Sequence, residues 1–236
     1  MRILVAAFAG TMLLATAAQA QNDCPLDQLA SLPITTLPGG AIAAPFKVDD
    51  RSVLLAIALQ APHSGLVGGV ASAHSITAGN ITFNGETVAA MTDAPAGSAG
   101  MIGMDLLRRF GVELDVQHAT LLLFAHPQCP GPGVVHWTSQ YTVVPMHIDA
   151  DGHVIAQLTL DGRPANVELS TAPGHLAMRA PGAVKALGIG AIALNNPQVV
   201  AANDIAPGAD ARIGLDELKN LHLFFSFGEG KLYVTP

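Results

Sequence analysis

The residue types that could do chemistry in this chain are few and mostly isolated. Asp93 in TDAPAG and Asp204 in NDIAPG stand in matching loops. Two carboxylates brought face to face can share one proton and activate a water. Each also stands where an aspartate bonds its own turn, and that is the role expected of both. His63 and His175 each follow an Ala-Pro step, His63 directly and His175 after Gly174. Ser170 precedes His175 at short range, but neither an orienting acid nor an oxyanion signature accompanies the pair. The nine histidines are scattered singly, without HxxxH or CxxC spacing, so neither a metal nor another cofactor is expected. Cys24 and Cys129 are the only two thiols, and Asn80-Ile81-Thr82 is a glycosylation sequon.

The elements that must position these residues repeat. Gly79, Ile81, Asn84, Val88, Ala90 and Asp93 recur 111 residues later as Gly190, Ile192, Asn195, Val199, Ala201 and Asp204. The register continues through Ile102-Gly103-x-Asp105-x-Leu107 and Ile213-Gly214-x-Asp216-x-Leu218 to Leu121 and Leu232. Upstream, Ala61-Pro62 matches Ala172-Pro173. The chain is therefore read as two copies of one unit, residues 33–126 and 143–236. An N-terminal arm (21–32) precedes them, and a Pro/Gly-rich connector (127–142) joins them. Two copies are too few for a solenoid. A pseudo-twofold pair of lobes, with the functional site at their interface, is the natural arrangement.

Within each copy the pattern is short strands. VPMHIDADGHVIAQLTLDGRPANVELS alternates apolar and polar residues around Asp151-Gly152 and Asp161-Gly162, both hairpin turns by type. The shorter APFKVDDRSVLLAIAL in copy one is read as lacking the first hairpin. One short helix per copy is expected after Ile-Gly, with Asp105 and Asp216 as its N-caps. A closing strand pair then follows, VELDV with TLLLF and LFFSF with KLYVT. Trp137, the single tryptophan, lies in the connector, where packing between the lobes is its expected role.

The segments MIGMDLLRRFGVELDVQHATLLLF and RIGLDELKNLHLFFSFGEGKLYV resemble the C-terminal part of a lobe of the retropepsin-like (pepsin-like) aspartic protease family. The resemblance covers both copies. It implies an all-β fold of two pseudo-twofold-related β-barrel lobes, each with one short helix. It also implies an Asp-Thr/Ser-Gly triplet upstream in each lobe. At those positions this chain has Ser170-Thr171-Ala172 and, by the same shift, Leu59-Gln60-Ala61. Leu59 and Ser170 thus stand where the resemblance places the catalytic aspartates, and neither is a carboxylate. Gln60, Thr171, His63 and His175 would line the cleft. The implied protein is a degenerate homologue, binding an extended peptide or serving as a scaffold. The alternatives are an active peptidase using Asp93 and Asp204, or a structural envelope protein.

The bulk composition sets the setting. Residues 1–20 carry Arg2, an apolar run and Ala18-Gln19-Ala20, the pattern of a cleaved signal peptide, so a periplasmic or secreted protein is expected. Export favours a disulfide between Cys24 and Cys129. No later stretch reads as a membrane span. The formal net charge of −7, without a basic cluster, argues against nucleic acid as a partner, and a monomer is expected. Half of the residues are hydrophobic, which is ample for a core.

Overall fold

A computed structural model describes residues 26–68, 72–126 and 132–236. The signal-like segment, Cys24 and Cys129 lie outside the described residues. The first half carries β1 (Gln28–Pro33), β2 (Thr35–Thr36), β3 (Ile42–Val48), β4 (Arg51–Ile57), β5 (Gly65–Val67), β6 (Ser72–Ala78), β7 (Ile81–Thr87), β8 (Ala89–Met91), β9 (Gly100–Ile102), helix α1 (Met104–Leu107), β10 (Gly111–Asp115) and β11 (Thr120–Phe124). The second half carries β12 (Thr142–Ile148), β13 (Val154–Leu160), β14 (Arg163–Leu169), β15 (Leu176–Met178), β16 (Ala186–Ile189), β17 (Ile192–Asn195), β18 (Val199–Ala201), β19 (Ala211–Ile213), helix α2 (Leu215–Leu218), β20 (His222–Ser226) and β21 (Lys231–Thr235). Among the described residues the protein is all-β apart from these two short helices and one 3-10 turn (Pro132–Val134).

The halves repeat in pairing as well as in sequence. In the first, β4 runs parallel to β9 and β5 parallel to β8. In the second, β14 runs parallel to β19 and β15 parallel to β18. Hairpin turns follow from residues that tolerate positive φ: Asp49 (47°) with Asp50 (65°), and Asp161 (49°) with Gly162 (77°). The repeated Gly79 and Gly190 serve the same purpose, at φ 56° and 59°, in the turns from β6 to β7 and from β16 to β17. The first hairpin of copy one is shortened rather than absent: β2 pairs with β3 through Thr35 and Thr36 alone.

The two halves share one sheet. Strands β1, β11 and β10 of the first lobe continue into β20, β21 and β12 of the second. The join is β10 on β20, with Leu114 opposite Leu223 and Glu113 opposite Phe224. One hydrophobic cluster extends through both lobes, and Leu114, Leu121, Leu223 and Phe225 are all fully buried within it. A second cluster lies against the shared sheet, where the connector packs Val134, Val135, Trp137 and Tyr141 around Phe124, Phe224 and Tyr233.

Candidate functional site

Strands β4 and β14 deliver two loops to the lobe interface. The Ala58 N–H donates to Ile102 O at 3.0 Å, and the Ser170 N–H donates to Ile213 O at 3.0 Å. These bonds are equivalent, so Ser170 matches Ala58, and Thr171 matches Leu59. Past the loops Asp105 N donates to Pro62 O and Asp216 N to Gly174 O, and Gly65 faces Met101 as Ala177 faces Arg212, so the shift of 112 holds through the loop although the bonds from Met104 N to Ala61 O and from Leu215 N to Ala172 O are 111 apart. Gln60 therefore matches Ala172, and His63 matches His175. The placement of Leu59 opposite Ser170 is corrected by one position: Ala58 stands there, again without a titratable group.

The loops interlock through Thr171. Its Oγ1 accepts from Leu59 N at 3.1 Å and donates to Ile57 O at 2.6 Å. Leu59 carries no hydroxyl, so the reciprocal bond is not possible. The carboxamide of Gln60 fills that role instead: its Oε1 accepts from Thr171 N at 3.1 Å and from Ser170 Oγ at 3.3 Å. Ser170 Oγ in turn accepts from Ala172 N at 3.1 Å. Ala58, Leu59, Ser170 and Thr171 are all buried. The floor of the interface is thus hydrogen-bonded, uncharged and asymmetric.

Ile102-Gly103 and Ile213-Gly214 run beside these loops, and a side chain at Gly103 would sit about 2.6 Å from the His63 carbonyl carbon. That close approach explains the glycine. The helix N-caps are Gly103 and Gly214, so Asp105 and Asp216 are not the caps. Asp105 instead holds the first loop, its Oδ1 accepting from Ser64 N at 2.9 Å and Ser64 Oγ at 2.7 Å. Asp216 pairs with Lys219 at 2.7 Å, and that bond holds its carboxyl below the usual range.

Asp93 is exposed. Asp204 is bound by Arg212 at 3.1 Å and 3.2 Å, which holds its carboxyl low. Among the described residues no hydrogen bond or ion pair joins Asp93 to Asp204. A shared-proton pair needs one carboxyl raised, and the Arg212 contact acts in the opposite direction. Asp149, Asp151 and His153 cluster in the turn from β12 to β13, but Asp149 Oδ1 is spent accepting from the Asp151 and His153 N–H groups.

The two loop histidines differ. His63 is exposed, with Nδ1 3.9 Å from Asp105 Oδ2. His175 is held, with Nδ1 3.2 Å from Glu217 Oε1. It lines a recess of about 290 Å³ in the second lobe, together with Ser170, Pro173, Val200, Asp204 and Arg212. Glu217 is buried, its Oε2 has no partner, and burial pushes its carboxyl up against the opposing pull of His175. Sequence reasoning missed Glu217. The available signal was that it stands where copy one has Leu106.

A second unanticipated group braces the lobes. Glu113 on β10 meets His136 Nε2 and His222 Nε2, each at 2.9 Å. Trp137 stacks on His222 with centroids 3.8 Å apart and donates from Nε1 to Thr235 Oγ1 at 3.1 Å. The connector tryptophan therefore packs against the second lobe's β20 and β21.

No family model and no curated protein sequence matches this chain. Solved structures do. Basic 7S globulin from soybean shares 10% identity over 89% of this chain and 95% of its own, with a TM-score of 0.58. The aspartic proteinase from Irpex lacteus shares 10% over 87% and 96%, at 0.59. Conglutin gamma, a basic 7S globulin from lupine seeds, shares 9% over 89% and 95%, at 0.58. At such identities the likeness establishes the fold alone, and that fold is the two-lobed, pepsin-like one.

Proposed function

We propose that this chain is an exported, catalytically degenerate homologue of the aspartic proteases that binds an extended peptide between its lobes. The observation that carries this reading is the floor of the interface. Ala58 and Ser170 occupy the equivalent positions, and Thr171 and Gln60 saturate the surrounding hydrogen bonds. Water activation by this chemistry needs two carboxylates at contact distance. An alanine and a buried serine provide neither base nor acid.

The strand connections support the same reading. Aspartic peptidases close flaps over the substrate to exclude water. In the second lobe residues 179–185 join β15 to β16 without a strand. The second-lobe recess beside Ser170, with strand β18 at the end of its sheet, suits binding of an extended segment by strand addition. Export, the Cys24–Cys129 bridge and a monomeric state belong to the same proposal.

The test is selection of heptapeptides from a random library on the purified protein, with Val200→Trp as the blocked control. Val200 is exposed at the mouth of the recess, so a large side chain there fills the groove without entering the core. Peptides that bind the native chain and are lost with Val200→Trp support the reading. Binding that is indifferent to the block, or no selected peptide, contradicts it.

A further inference from the structure

We infer that His175 and the buried Glu217 behind it read the main chain of a bound peptide in the second-lobe recess. This rests on the peptide-binding reading above. The internal repeat supplies the reference. Leu106 and Glu217 occupy the same place in the two helices, and both are buried. The first lobe shows that an apolar side chain satisfies this position. A carboxylate there costs desolvation, and this one leaves Oε2 unpaired with its side chain only 9% exposed. Packing does not require it.

What it does is hold an imidazole. His175 Nδ1 lies 3.2 Å from Glu217 Oε1. Its Nε2 lies 3.9 Å from Asp216 Oδ2, beyond hydrogen-bond reach, and the ring lines the recess. The counterpart His63 has no such partner and is 77% exposed. The arrangement is a carboxylate fixing the orientation and tautomer of a histidine presented to a ligand.

The tautomers decide the ligand chemistry. With Glu217 ionised, Nδ1–H donates to it and Nε2 is an acceptor. Uptake of one proton by the pair makes Nε2 a donor, whichever of the two holds that proton. A peptide main chain offers both an N–H and a C=O, so it fits either form. The charged groups facing the pair are Asp216 on α2 with its partner Lys219 at the helix C-cap, and Asp204 and Arg212 across the recess. An extended peptide is the fitting occupant for two further reasons. Among the described residues strand β18 ends the larger sheet with one edge unpaired, and Val200 on it is exposed. The walls at Ala172, Pro173 and Ala177 are small and apolar, which suits a modest side chain.

The experiment uses a heptapeptide selected on the native protein and lost with Val200→Trp. Glu217→Leu, the residue of the first lobe, is compared with the native chain for both melting temperature and peptide affinity. The inference predicts a higher melting temperature together with an affinity weaker by about tenfold or more. A lower melting temperature would mean that Glu217 is a structural residue, and unchanged affinity would mean that the pair does not read the peptide; either overturns the inference while leaving the binding reading intact. Failure to select any peptide overturns both.

Discussion

The hydroxyl of Thr171 accepts from the backbone N–H of Leu59 across the lobe interface at 3.1 Å, and the same hydroxyl donates to Ile57 O at 2.6 Å. One side chain of the second lobe therefore satisfies two buried main-chain groups of the first. Thr171→Val keeps the shape and removes both bonds, leaving the groups unpaired. The expected loss is about 2 to 6 kcal/mol, since each of the two buried orphans costs roughly 1 to 3. Urea denaturation with an unchanged slope measures it. A loss below about 0.5 kcal/mol, the level of a neutral surface change, would show that water replaces the hydroxyl.

Glu113 holds the opposite face of the join, accepting from His136 of the connector and His222 of β20. Glu113→Ala removes the shared partner of a largely buried His222 and a nearly half-exposed His136. It is expected to destabilise by about 1 to 3 kcal/mol, with Glu113→Gln milder because its amide oxygen still accepts. Thermal unfolding of the two variants against the native chain provides the comparison. Equal effects would argue that the contact is packing rather than charge.

Burial raises the Glu217 carboxyl above its ordinary value of 4.5. A carboxyl raised on folding binds its proton more tightly in the native state. Its contribution to stability is greatest below the unfolded value and declines as pH rises through the folded one. Stability should therefore fall with rising pH above about 4.5 by an increment that is absent in Glu217→Gln. The difference between the two stability–pH curves isolates this carboxyl. Parallel curves would show that His175 offsets the burial fully.

Cys24 and Cys129 should form a bridge after export, closing a loop of about 105 residues and contributing roughly 3 to 5 kcal/mol. Non-reducing peptide mapping should recover the two cysteines together. Two freely alkylated thiols in exported protein would contradict this.

Much of the architecture was legible because it rests on turn chemistry and repetition. Gly79 and Gly190 mark the same positive-φ turns, and Asp161-Gly162 makes the hairpin its type demands. The site was legible only in part. The identity of Ala61-Pro62 with Ala172-Pro173 suggested a shift of 111 through this loop, and the shift of 112 shows only in the hydrogen bonds of Ala58 with Ser170 and of Pro62 with Gly174 as equivalents. Asp105 and Asp216 carry cap-type side chains, but the caps fall to Gly103 and Gly214, where the adjoining loops leave no room for a Cβ. Glu217 could have been singled out by reading the repeat for differences rather than matches. The Glu113–His222 contact joins residues 109 apart, and no local pattern signals it.

The central claim is that the interface binds without cutting. The most direct measurement incubates the purified protein with its selected heptapeptide from pH 3 to 7 and follows bound and cleaved peptide together by mass spectrometry. The account predicts saturable binding with the peptide recovered intact at every pH. Cleavage that Asp93→Asn or Asp204→Asn abolishes would contradict it.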